Sequence, residues 1–122
     1  MKATLMEFLH HQLVTDSNQS PVKALAADIL AIPVTHPYVQ KTTGADAEAL
    51  TLADGLSGQV LVINLSTDGG GTGTLTPATA TDWATIVFAD AGDQAVLLYV
   101  DDTVGWIIIG LSGVAAPPVI TV

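Results

Sequence analysis

Cysteine and arginine are both absent from this chain, and each absence excludes something. Without cysteine there is no disulfide framework, no thiolate nucleophile and no thiolate metal site, so stability has to come from packing, partners or ions. The only basic residues besides histidine, Lys2, Lys23 and Lys41, lie in the first third, where Glu7, Asp16 and Asp28 balance them. All later charges are acidic, which accounts for the net charge of −9. A surface of that sign repels phosphate, so no nucleic-acid partner is expected. Long apolar runs are missing too. Stretches such as Val60-Leu61-Val62-Ile63 and Trp106-Ile107-Ile108-Ile109 fall far short of the roughly 20 residues a membrane helix needs, so no membrane partner is expected. Near the start, Glu7, His10 and His11 interrupt what would be the apolar centre of a secretory signal, and none is expected.

Charged residues make up 12% of the chain, against about 25% in ordinary soluble domains, and apolar residues 49%. A mean hydropathy of +0.52 in 122 residues describes a single domain with more apolar surface than a monomer hides, and that surface is expected between subunits. The organising stretch is residues 92–110. There Val96, Leu98 and Val100 alternate with Ala95, Leu97 and Tyr99, the polar turn Asp101-Asp102-Thr103-Val104-Gly105 reverses the chain, and Trp106 to Ile109 return. Both faces of this hairpin are apolar. One sandwich core covers one face, so Val96, Leu98, Val100, Ile107 and Ile109 are assigned to an oligomer interface.

In chain order, Leu5, Phe8, Leu9 and Leu13 have helical spacing. Ser20-Pro21 is a helix start, and Val22, Leu25, Ala26, Ile29 and Leu30 form a stripe that reads as a second helix, or as an extended arm laid on another protein. Pro33 and Pro37 end any helix and confine residues 32–42 to an edge strand or arm. From there short apolar strands and Gly/Asp turns alternate about every ten residues, which predicts an all-β chain: an antiparallel β-sandwich of jelly-roll type over 41–122, preceded by a partly helical or extended arm over 1–40.

Candidate chemistry is sparse. Gly69-Gly70-Gly71-Thr72-Gly73 lacks the lysine and the helix of a phosphate loop and reads as a turn. Asp90 with Asp93, and Asp101 with Asp102, have oxygen ligands for calcium but not the spacing of a calcium loop. His10 and His11 diverge on a helix, and His36 sits between prolines. No nucleophile, base and orienting group can be assembled, so neither an enzyme nor a cofactor or metal is expected; a hydrolase would have to use an acid such as Asp93. Trp83 and Trp106 suit core packing better than a sugar-stacking platform, since each lies inside an apolar strand.

Thr-Leu-Ala-Asp-Gly (51–55), Gly-Gln-Val-Leu (58–61), Gly-Thr-Leu-Thr-Pro (73–77), Ala-Thr-Ile-Val-Phe (84–88), Ala-Gly-Asp (91–93) and Gly-Trp-Ile-Ile (105–108) resemble small β-rich virion proteins of tailed bacteriophages, the capsid decoration (cement) proteins and related head-fibre modules. The resemblance implies a structural protein that forms a homotrimer on the outer capsid surface, bound to the major capsid protein and made in the host cytoplasm. The alternative is a receptor- or glycan-binding module of a head or tail fibre. Residues 1–40 lie outside the resemblance. Being charge-balanced and cut by prolines, they are assigned the capsid contact through Leu5, Phe8, Leu9, Leu13, Lys23, Leu25, Ile29 and Leu30, and a chain lacking 1–31 is expected to stay folded.

Overall fold

The computed structural model describes residues 20–122. Ten strands make two five-stranded sheets: β1 (Val22–Leu25), β2 (Ala31–Ile32), β3 (Tyr38–Thr42), β4 (Glu48–Leu52), β5 (Val60–Thr67), β6 (Gly73–Pro77), β7 (Thr85–Phe88), β8 (Gln94–Tyr99), β9 (Trp106–Ser112) and β10 (Val119–Thr121). The first sheet has the order β1-β3-β5-β8-β9, the second β10-β7-β6-β4-β2. The expected all-β sandwich is the observed fold.

Its wiring differs from a jelly roll. From β1 to β6 the chain changes sheet at every strand, so β1, β3 and β5 run parallel in one sheet and β2, β4 and β6 run parallel in the other. Parallel neighbours need a crossover, and here each crossover is a strand of the opposite sheet, which winds the chain into a flattened coil. From β7 onward all pairing is antiparallel, and the hairpin β8–β9 closes the first sheet against β5. Side-chain alternation is the same in parallel and antiparallel strands, so the pattern that reveals the strands is silent on this winding.

In-register rows of inward side chains build the core. Val39, Ile63 and Ala95 lie side by side in the first sheet; Leu50, Leu75 and Ile86 do so in the second. All six are at most 1% exposed. Trp106 and Tyr99, a cross-strand pair between β9 and β8, meet edge to face at 5.2 Å and close one end of the core. Burying each side chain of this size is worth roughly 1.5–3 kcal/mol, which lets so short a chain hold two layers without a disulfide.

The segment expected as a separate arm is part of this body. Among the described residues there is no helix; the apolar stripe over 20–31 forms β1 and a turn. Asp28 takes a φ of 66°, which no helix interior accommodates. Ser20, read as a helix cap, accepts a hydrogen bond on Oγ from the Val22 N–H at 3.1 Å and opens a strand. Leu25 and Ile32 are buried with the core, and β3 runs across the expected boundary between residues 40 and 41. Of the residues expected to grip a capsid, Leu25 is therefore committed to the interior, while Lys23, Ile29 and Leu30 are exposed. Leu5, Phe8, Leu9 and Leu13, like His10 and His11, lie outside the described residues.

Candidate interaction surface

Sheet geometry sorts the hairpin residues cleanly. Ala95, Leu97 and Tyr99 point into the sandwich and are fully buried, whereas Val96, Leu98 and Val100 point outward and are half-buried. The outward rows extend across the whole first sheet. Val22, Tyr38, Val62 and Val96 are consecutive partners on β1, β3, β5 and β8, with Gly110 next on β9. Val60, Leu98 and Ile107 form the neighbouring row. A polar row, Ala24, Gln40, Asn64, Gln94 and Ser112, borders them; Gln94 Oε1 accepts hydrogen bonds from the Tyr38 hydroxyl at 3.2 Å and from Asn64 Nδ2 at 3.4 Å. No charged side chain stands in any of these rows. Ile109, the extra residue at the bulge of β9, is 55% exposed.

The second sheet has a different outer face, built from Ala31, Ala49, Thr51, Thr74, Thr76, Thr85, Val87, Val119 and Thr121. Its hydroxyls suit water, and two of them, Thr85 and Thr121, bond each other at 2.5 Å. Every aspartate of the described residues lies in a turn or loop, so the negative charge rings the sandwich and leaves both sheet faces uncharged.

Four of those aspartates, Asp68, Asp93, Asp101 and Asp102, are occupied with local structure. Asp93 Oδ2 accepts from the Ala89 and Asp90 N–H groups at 2.9 and 3.1 Å, clamping the turn into β8. Its Oδ1, buried and without a hydrogen-bond donor, faces the Cα of Gly113, where no Cβ would fit. Asp101 Oδ1 accepts from the Thr103 and Val104 N–H groups at 2.9 and 2.8 Å, an Asx arrangement that shapes the hairpin loop. Asp102 Oδ1 accepts from the Tyr99 hydroxyl at 2.6 Å; this bond, together with burial and the nearby acids, pushes the phenol well above its usual range. Among the described residues no three acids or histidines come together as metal ligands. The glycine-rich turn spends its N–H groups internally: Gly69 donates to Thr43 Oγ1, Gly70 to Asp68 Oδ1 and Gly71 to the Gly44 carbonyl. His36 Nδ1 lies 2.9 Å from Thr35 Oγ1. Both tryptophans are core residues with satisfied N–H groups, Trp83 donating to the Trp106 carbonyl and Trp106 to the Ala53 carbonyl, each at 2.9 Å. Neither offers a ring to a sugar.

The one polar cluster that sequence reading missed is a buried ion pair. Lys41 on β3 and Glu48 on β4 meet at 2.7 Å with both side chains almost wholly buried. Lys41 Nζ also donates to the carbonyls of Ala26 and Ile29 at 2.8 Å each, so the ammonium is held by the carboxylate and two carbonyls. Burial raises the Glu48 carboxyl, but the hydrogen bonds from Lys41, from the Gly44 N–H at 2.6 Å and from the Asp28 N–H outweigh it and hold the group below its usual value. The pair ties the β1–β2 turn to the body. A signal was present: Glu48 shares its parity with Leu50 and Leu52, and Lys41 with Val39, so alternation alone points both inward.

A scan against protein-family models finds no match for the chain, and a search of curated proteins finds none either.

Proposed function

We propose that this protein is a structural component of a virion: a non-enzymatic decoration protein that assembles as a homotrimer and binds the major capsid protein on the outer surface of a phage head. The observation that carries this reading is the uncharged, half-buried apolar face of the first sheet, on a molecule whose glycine-rich turn, tryptophans and four of its turn aspartates are taken up by its own fold. Such a molecule is equipped to be built into something. The ring of turn aspartates suits a protein displayed to solvent, because like charge keeps decorated particles apart. The exposed Lys23, Ile29 and Leu30 on β1 and the turn after it offer the capsid a small apolar contact with one base, away from the aspartates of the body.

The test is co-sedimentation of the purified protein with phage heads lacking it, followed by imaging of the particles. Saturable binding with added density on the outer surface supports the reading. A protein that stays in the supernatant at all ratios refutes it.

A further inference from the structure

We infer that the outer face of the first sheet is the contact between copies of this chain, with Gly110 and Ile109 on its edge strand β9 nearest the symmetry axis. The inference deepens the proposed function by naming the surface behind self-assembly; it needs the assembly part of that reading and not the capsid.

Three observations select a second copy as the occupant. The first is charge. Each copy carries a net charge of −9, so two copies repel unless they meet where no acid stands, and the rows Val22-Tyr38-Val62-Val96-Gly110 and Val60-Leu98-Ile107 hold none. A basic partner would gain by seating on the aspartate-bearing turns instead. The outer face of the other sheet is also uncharged, but five of its residues are threonines content in water and its larger apolar side chains are only Val87 and Val119, so it gives up less by staying exposed.

The second is relief. Gly110 ends the longer row, and a Cβ built on it meets nothing within 4 Å, so the sheet has a dent there. Beside the dent, the bulge leaves Ile109 55% exposed. A projection and a recess on neighbouring residues of one strand let the Ile109 of one copy enter the Gly110 recess of the next around an axis close to β9, a head-to-tail contact that a three-membered ring can close. The third is size. Five strands at about 4.8 Å spacing and a β5 of about 25 Å give a face on the order of 500–600 Å² before side-chain relief is counted, close to the roughly 600–1,000 Å² per partner of a stable contact.

The test uses the full chain with Gly110→Phe, chosen because the open space around Gly110 admits a side chain without disturbing the core, and Gly110→Ala as its control. Native mass spectrometry and sedimentation velocity are run on each at micromolar concentration. Wild type and Gly110→Ala are expected to be oligomers of one stoichiometry, and Gly110→Phe to dissociate with an affinity at least tenfold weaker. If circular dichroism shows that Gly110→Phe has lost its fold, Ile109→Glu, which adds an acid at the most exposed large apolar residue of the hairpin, takes its place with the same expectation. A monomeric wild type, or an unchanged oligomer in the folded variant, overturns the inference. Capsid co-sedimentation separates the two readings: an oligomer that dissociates on Gly110→Phe but never binds heads keeps this inference and removes the decoration role.

Discussion

Replacing Glu48 with glutamine changes one oxygen into an amide and removes one charge, with almost no change in volume. In the folded protein that oxygen environment is closed. Oε1 faces the Lys41 ammonium at 2.7 Å, and Oε2 accepts from the Gly44 N–H at 2.6 Å. Glutamine keeps a single acceptor oxygen, so its amide must face either the ammonium or a backbone N–H, donor against donor. Lys41 retains the Ala26 and Ile29 carbonyls but is left as a buried cation with no counter-charge. Breaking a buried pair in this way costs about 3–5 kcal/mol, a large share of the about 5–15 kcal/mol that holds a small domain together. Urea unfolding should show the midpoint falling with the slope unchanged. The pH dependence adds a second check. Because the folded Glu48 carboxyl lies below its ordinary value of 4.5, its contribution is fully present above that value and is lost as pH falls through the lower, folded one. Wild type should therefore lose stability on acidification below about pH 4.5 more steeply than Glu48→Gln. A Glu48→Gln protein within about 0.5 kcal/mol of wild type at neutral pH would refute the reasoning, since that is the ordinary scatter of surface substitutions.

Gly105 and Gly58 both have positive φ, 72° and 87°, but a Cβ on Gly105 would overlap the Thr79 carbonyl while one on Gly58 meets nothing. Gly58→Ala should cost about 1–2 kcal/mol of backbone strain, and Gly105→Ala a further 1–3 kcal/mol or so, read from thermal melts; equal costs would rule out the steric account. Alkaline titration followed by phenolate absorbance should find Tyr99 still protonated when the ordinary tyrosine range is passed, and Asp102→Asn should bring its ionisation down. The phenol is raised in the folded state, so its contribution is present below the unfolded pKa and fades as pH climbs toward the folded one. Removing residues 1–31 takes away β1, Leu25 and both carbonyl partners of Lys41, so the remainder should fail to give a cooperative melt; a fully stable truncated chain would show that β1 is not part of the sandwich.

Strands were legible wherever alternation was strict. The inward set Ala95, Leu97 and Tyr99 and the outward set Val96, Leu98 and Val100 are found as the sequence orders them, because a period of two fixes faces without reference to any partner. The loop from Asp101 to Gly105 was legible for a similar local reason: Asp101 Oδ1 and the positive φ of Gly105 settle that turn among neighbours in the chain. What failed was non-local. The stripe from Val22 to Leu30 fits a helix by spacing, and only the left-handed Asp28 and the edge of β3 decide for a strand. Likewise, nothing in β3 announces that both its neighbours run parallel to it. The direction of pairing depends on where the intervening segment goes, and between Val22 and Tyr38, as between Tyr38 and Val62, it goes to the opposite sheet.

The same division between local and non-local information explains why the ion pair and the outer face carry different kinds of meaning. Lys41 and Glu48 neutralise each other and are held by the Ala26 and Ile29 carbonyls and the Gly44 N–H, so the pair is a structural tie of this fold. The outer rows of the first sheet are the reverse. Val62, Val96, Leu98 and Ile107 remain half-buried with no charge among them, while every aspartate of the described residues lies elsewhere. Keeping a face apolar and uncharged costs solubility, and a monomer has no physical use for it. A side chain that must stay apolar for the fold shows itself by facing inward; one that faces outward and is apolar all the same points to a contact beyond those among the described residues.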